Sequence, residues 1–337
     1  MTPPRLTFYC ELEAPALQEL MVSQVIADLK ALKASVSLGI LDLSPERAEV
    51  VGQLNKAGIP VIAWLLLPKE DGYWFNIYNA AQAAARYESF KTWTAEYGLQ
   101  WGRVGMDIEP DINELSELVK RNFRVVPDIL RRVVSQRHLR QARQAYMDLV
   151  GQIHADGYPV DNYQLPLMAD ERSAHSTLIQ RLGGLVDLKV DREVWMLYTS
   201  LLRPNGAGML ASYAPEAQSV GVGITGGGVE LTADIPPLTW DEFSRDLRLA
   251  WYSCDDLHIF SLEGCVRQGY LERLKSFAWD FPLILPEKGM ARVESLRKLL
   301  QTVLWISAHF TGILLSAIGT ILFWKGVHSL LQRKFKQ

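Results

Sequence analysis

The apolar residues fall into short, nearly continuous runs separated by longer amphipathic stretches. The runs are RLTFYCELE (5–13), SVSLGILDL (35–43), IPVIAWLLL (59–67), GRVGMDIEP (102–110), PVDNYQLPLM (159–168), REVWMLYTSL (192–201), SVGVGITGG (219–227) and DLHIFSLEG (256–264). Runs apolar on both faces are what parallel strands need when helices cover both sides of the sheet. Between the runs, apolar residues take a helical spacing with recognisable ends. Ser44-Pro45-Glu46 opens one helix, Ala57-Gly58 closes it, and Thr239 opens another. A long helical stretch is expected over 112–156 and a short one over 207–217. Eight strand–helix units in about 280 residues predict a closed (β/α)8 TIM barrel over residues 1–280. An open doubly wound sheet is the alternative. It lacks a G-x-G-x-x-G after the first strand and a Walker A lysine, and Gly226-Gly227-Gly228 reads as a loop. No cofactor is expected.

A different pattern follows the barrel. Residues 299–324 contain no Asp, Glu, Lys or Arg, and Trp305 and Trp324 lie near the two ends. About 20 apolar residues span a bilayer's hydrocarbon core, so a single transmembrane helix is expected here, after a linker at 281–298 and before a basic tail at 325–337. The N-terminus has no apolar run of signal-peptide length. The expectation is a C-terminal membrane anchor with the barrel on the cytoplasmic side and lipid as a partner. Lys288, Arg292, Arg297 and Lys298 precede the run and Lys325, Arg333, Lys334 and Lys336 follow it, so charge does not choose an orientation. Ala308, Gly312, Ser316 and Thr320 recur on one helical face and suggest a homodimer through this helix.

Composition sharpens the picture. Of 337 residues, 48% are hydrophobic and 22% charged, with a net charge of −3. That balance excludes a disordered chain and a polybasic nucleic-acid binder. Lys120, Arg121, Arg124, Arg131, Arg132, Arg137, Arg140 and Arg143 stand against Asp128 alone in 120–143. The stretch reads as a solvated helical face or as a contact for anionic lipid headgroups. Cys10, Cys254 and Cys265 have no metal-site spacing and read as buried thiols.

In a barrel of this kind the active site lies at the C-terminal ends of the strands. Acidic residues gather there: Glu11 and Glu13 on the first strand, Asp42 on the second, Asp107, Glu109 and Asp111 on the fourth, Glu263 on the eighth. A carboxylate near a buried strand is costly unless paired or wet, so these positions need a reason. Period two puts Gly105, Asp107 and Glu109 on one face. Tyr163 and Gln164 on the fifth strand and Tyr198 and Ser200 on the sixth add polar groups at that level. The loop after the third strand holds Tyr73, Trp74, Phe75 and Tyr78. Paired carboxylates beside aromatic platforms suit glycosidic cleavage, in which one carboxyl donates a proton and a negative group faces the oxocarbenium-like centre. Rim salt bridges and lid packing are the structural alternatives for the same residues. None of the histidines closes a predicted strand, which weighs against a metal site or a catalytic triad, although an all-carboxylate metal site stays open.

Gly105-Met106-Asp107-Ile108-Glu109 resembles the strand-4 D-x-E of glycoside hydrolases of chitinase and lysozyme type. The resemblance implies a TIM barrel acting on a carbohydrate, with Glu109 as general acid and Asp107 as the residue that positions and polarises it. Tyr198 is similar to the tyrosine that helps hold the substrate's N-acetyl group in chitinases. Where that pattern has further aspartates, this chain has Gly105 and Gly102, and Glu263 stands in place of a closing tryptophan. Glu263 or the substrate itself would supply the stabilising group. Two other functions remain open: a carbohydrate-binding or scaffold barrel without turnover, and a carboxylate–metal lyase, isomerase or phosphodiesterase.

Overall fold

The computed structural model describes residues 3–120, 123–132, 136–228 and 235–334, with the backbone alone for 118, 119, 123 and 311–334. Eight parallel strands close a barrel in sequence order: β1 (Arg5–Cys10), β2 (Ser35–Ile40), β3 (Val61–Leu65), β4 (Arg103–Asp107), β5 (Val160–Gln164), β6 (Arg192–Met196), β7 (Ser219–Gly223) and β8 (Asp256–Phe260). All eight expected runs hold a strand. The strands stop two to five residues short of the ends of the apolar runs. The acids Glu11, Asp42, Glu109 and Glu263 therefore sit just past their strands, where the backbone is free to turn.

Period two divides each strand between two cores. Leu6, Phe8 and Cys10 of β1 pack outward against helices, whereas Tyr9 faces the axis with Trp64, Tyr163, Val194 and Met196. The lower end of the axis is closed by ions. Arg192 reaches Asp161 (Nε–Oδ1 3.1 Å) and Asp256 (2.8 Å), Arg103 also binds Asp161, and Arg5 reaches Asp256 at 3.3 Å. Fully buried charges persist only when paired in this way.

Local chemistry places the helices. Ser44 Oγ accepts the Arg47 N–H at 3.2 Å, and Thr239 and Glu242 form a reciprocal capping box. The stretch 112–156 is broken, not continuous: helices run over Ile112–Val119, Val126–Arg131 and Gln136–Ala155. Its charges are largely engaged nearby. Arg132 binds Glu114 and lies 4.7 Å over the Tyr78 ring, Arg131 pairs with Asp128, and Arg143 donates to Gln180; Arg121 lies outside the described residues. All three cysteines are buried and free.

The expected linker is a second departure. From Glu287 the chain is helical, in one helix to Lys334. Its first turns dock on the barrel. A Cβ on Gly208 would collide with the Gly289 backbone, so two glycines let the helices touch. Arg297 is held by Asp170 (2.9 Å) and Glu216 (2.7 Å) and stacks 4.0 Å from the Tyr213 ring. Among the described residues no helix is long and apolar enough to cross a membrane. The expected span and its small-residue stripe fall mostly in 311–324, whose side chains lie outside the described residues. The basic tail 325–337 lies there too.

Candidate active site

β4 supplies the centre of the site. Its end is fixed by the loop after β3: the Phe75 N–H donates to the Asp107 carbonyl at 2.9 Å, and the Glu109 N–H donates to the Phe75 carbonyl at 3.2 Å. That loop is itself built rigidly. Asn79 Nδ2 donates to the Trp74 and Asp71 carbonyls at 2.8 and 2.9 Å, and Tyr146 donates to the Asn76 carbonyl at 2.9 Å. Gly72 turns it at φ +97°, where a Cβ would also meet Asp111 Oδ2 at 2.8 Å.

A cavity of about 160 Å³ opens above this strand end. Asp107 and Glu109 share one side of it, and Glu11 contributes a third carboxylate. Tyr9, Trp64, Tyr163, Tyr198, Phe260 and Trp74 supply aromatic walls, with Met196, Leu201 and Ile224 as aliphatic ones. Among the described residues no Lys, Arg or His lines it. Burial holds the Asp107 carboxyl well above its ordinary range, helped by the charges of Glu109 and Glu11 and opposed by the Trp64 indole N–H, which donates to Oδ2 at 3.1 Å. Burial also pushes Glu109 up to about 7, against a hydrogen bond from Asp107. Two buried carboxyls in contact hold one proton between them, because ionising both is too costly. Among the described residues, the buried Tyr9 Oη has no protein donor or acceptor, nor has Asp107 Oδ1 apart from that shared proton.

The other candidate residues separate clearly. Tyr163 lines the floor and bonds Ser37 Oγ across the barrel at 2.7 Å. Its ring explains Gly105: a Cβ there would meet Tyr163 Oη at 2.5 Å, so the place of an acidic side chain is taken by a tyrosine. Tyr198 lines the wall beside Phe260, ring centroids 5.6 Å apart. Trp74 reaches the cavity, whereas Tyr73 stands behind it and donates to Glu11. Phe75 is buried against Tyr146, and Tyr78 is on the outside under Arg132. Gln164 points outward and donates to the Val186 carbonyl at 3.2 Å, because it sits one position from Tyr163 on a period-two strand. Asp42 is engaged by Arg47 at 2.8 Å, which holds its carboxyl down at about 2 despite partial burial.

Glu263 does not line the cavity. Ser261 caps the helix Leu262–Arg267, and Glu263 lies within its first turn, beneath Gly227. Burial raises its carboxyl to about 7, although the Ser261 hydroxyl and the backbone of Glu11 and Gly228 favour the charge; among the described residues no hydrogen bond of good geometry reaches either oxygen. Glu13 is exposed at the start of the helix Ala14–Leu20. Trp64, Phe260, Leu201 and Ile224 were not anticipated. Trp64 and Phe260 were readable from period two, counting from Ile62 and His258; Leu201 lies in a short helical turn past β6 and Ile224 just past β7, where strand periodicity no longer places a side chain. Among the described residues no group of three His, Cys, Asp and Glu is placed to hold a metal ion.

No family model matches the chain, and no curated protein matches it. Among solved structures it is similar to a GH18 chitinase from Pseudoalteromonas aurantia, at 10% identity over 81% of this chain and 100% of that one, with a TM-score of 0.47. It is similar to the PgaB (BpsB) glycoside hydrolase domain from Bordetella bronchiseptica, at 11% identity over 81% and 98%, with a TM-score of 0.49. It is also similar to a D-allulose 3-epimerase from Methylomonas sp., at 9% identity over 88% and 98%, with a TM-score of 0.42. At such identities the likeness is one of fold. The closed barrel of eight parallel strands in sequence order itself makes the chain a TIM barrel.

Proposed function

We propose that the chain is a membrane-anchored glycoside hydrolase that cleaves an oligosaccharide or glycan by general-acid catalysis. The observation that carries this reading is the placement of two neighbouring carboxyls, Asp107 and Glu109, on one wall of an aromatic cavity. Glu109 is the partly exposed member and gives its proton to the leaving glycosidic oxygen. Asp107, held by Trp64, keeps that proton available and offers negative charge as the anomeric carbon becomes positive. Glu11, kept in place by Tyr73, faces the same centre and takes the part first expected of Glu263. Sugar hydroxyls would satisfy Tyr9 Oη, and sugar faces would lie on Trp74 and Tyr198. The anchor reading rests on the charge-free run 299–324.

Glu109→Gln tests the catalytic reading against a panel of chromogenic aryl glycosides, with sugar binding followed through Trp64 and Trp74 fluorescence. Turnover should fall by at least a hundredfold with binding kept. If neither the native chain nor the variant turns over while both bind equally, the barrel is a binding module. If turnover survives the substitution, Glu109 is not the acid.

A further inference from the structure

The docked C-terminal helix has a direction relative to the barrel, and that direction orients the cavity. The helix Gly206–Tyr213 follows β6, so it runs from the cavity end of the barrel to the opposite end, where Glu216 precedes β7. The C-terminal helix runs alongside it in the same sense. Gly289 touches Gly208 and Arg292 bonds Asn205 near the cavity end, whereas Arg297 binds Ser212 and Glu216 at the far end. Leu304 is the last described side chain buried on this face, at 1% exposure; Trp305, Ile306 and Phe310 are 48%, 46% and 60% exposed.

From Gly289 to Leu304 the helix rises about 22 Å. Residues 305–324 then leave about 30 Å of helix, the thickness of a bilayer's hydrocarbon core. We infer that the chain presents the strand-entry end of the barrel to the bilayer, and holds the cavity about 22 Å or more above it, opening away from the lipid. The partner of that lower face is the lipid headgroup layer. The substrate accordingly arrives from water, as a soluble saccharide or the free part of a long glycan, and not as a short headgroup in the same membrane. The basic stretch 120–143 follows the cavity end of β4, so it too begins on the side away from the lipid. This inference rests on the proposed membrane span and deepens the glycosidase reading.

Two labels on either side of β6 test it. Lys189 is exposed just before the strand and Leu202 just after it. The full chain, carrying Lys189→Cys or Leu202→Cys and a fluorophore, is reconstituted in phosphatidylcholine vesicles containing an acceptor-labelled lipid. The three native cysteines are buried and label slowly. The Lys189→Cys label should transfer energy at least twice as efficiently as the Leu202→Cys label. Equal or reversed efficiencies in a chain that resists alkaline carbonate extraction would overturn the orientation and leave the span intact. Release of the chain by carbonate would overturn the span and the orientation with it. Either result leaves the glycosidase reading to be judged by Glu109→Gln.

Discussion

Trp64 reaches from β3 to donate its indole N–H to Asp107 Oδ2 at 3.1 Å, a neutral donor on a carboxyl that also faces Glu109 and Glu11. The bond favours the charged form of Asp107, and so moves the shared proton towards Glu109. Trp64→Phe keeps an aromatic wall and removes the donor. A hydrogen bond to a charged group contributes about 1.5–3 kcal/mol, so the proton should pass to Asp107 and kcat should fall about tenfold or more. The pair passes from two protons to one near pH 7, where Glu109 lies, and loses the last only at higher pH, because burial holds Asp107 well above its ordinary range. The one-proton form is the active one, so native activity should rise as pH increases through about 7. In the variant the plateau should drop while this limb stays or moves up, since the pair as a whole becomes more basic. A limb that moves down, in the pH profile of kcat/KM, would contradict this assignment.

Gly105 and Tyr163 make a second pair with a measurable consequence. Gly105→Ala places a methyl 2.5 Å from Tyr163 Oη and 2.9 Å from its Cζ. The ring must shift, the bond to Ser37 is lost, and overpacking of this kind costs about 1–3 kcal/mol. Tyr163→Ala in the same chain should relieve the strain, so the two substitutions together should cost less than the sum of each alone. Denaturant unfolding of the four chains would show this as a negative coupling. Simple additivity would mean that the floor of the cavity has room to spare.

Much of this arrangement was legible before the structure, for physical reasons. The eight apolar runs mark strands because a parallel sheet buried on both faces tolerates few polar residues. Asp107 and Glu109 stood out because carboxylates at the end of such a run are costly. Strand ends were less legible: Ser261 and Glu263 continue the β8 run in sequence, yet Ser261 caps a helix, and this turns Glu263 away from the cavity. Gln164 was misplaced for the complementary reason, since adjacent residues on a strand face opposite ways. The linker was illegible because the turns of helix from Glu287 are short of apolar residues and are held by Gly208–Gly289 contact and by Arg297. No periodicity announces such contacts.

Glu263 offers a test of stability that is independent of catalysis. Its carboxyl is raised from 4.5 to about 7 by burial, so the folded chain binds its proton more tightly than the unfolded chain does. The site costs nothing at pH below 4.5, where both states are protonated. Stability then falls as pH rises from about 4.5 to about 7, and the full penalty persists above that. Glu263→Gln removes the ionisation. It should raise stability by about 3 kcal/mol at pH 8 and change it little at pH 4. Thermal unfolding across this range checks it, and equal shifts at both pH values would show that packing against Gly227 dominates.

The boundary of the folding unit follows from Asp170. Its carboxylate is fully buried and accepts from Tyr213, from Arg297 Nε at 2.9 Å and from Gln301 Nε2 at 2.7 Å. Two of these three donors belong to the C-terminal helix. A chain ending at residue 280 removes both and leaves a buried charge with one neutral partner. Breaking a buried pair from one side costs about 3–5 kcal/mol, which at this size lowers the melting temperature by about 10 °C. A chain ending at residue 310 keeps the donors and should melt as the full chain does. Asp170→Asn separates charge from packing. It should recover part of the loss in the 1–280 chain, where the carboxylate is stranded, and destabilise the 1–310 chain, where Arg297 would lose its partner. If 1–280 and 1–310 melt together, the helix is an attachment resting on the barrel and not a part of its fold.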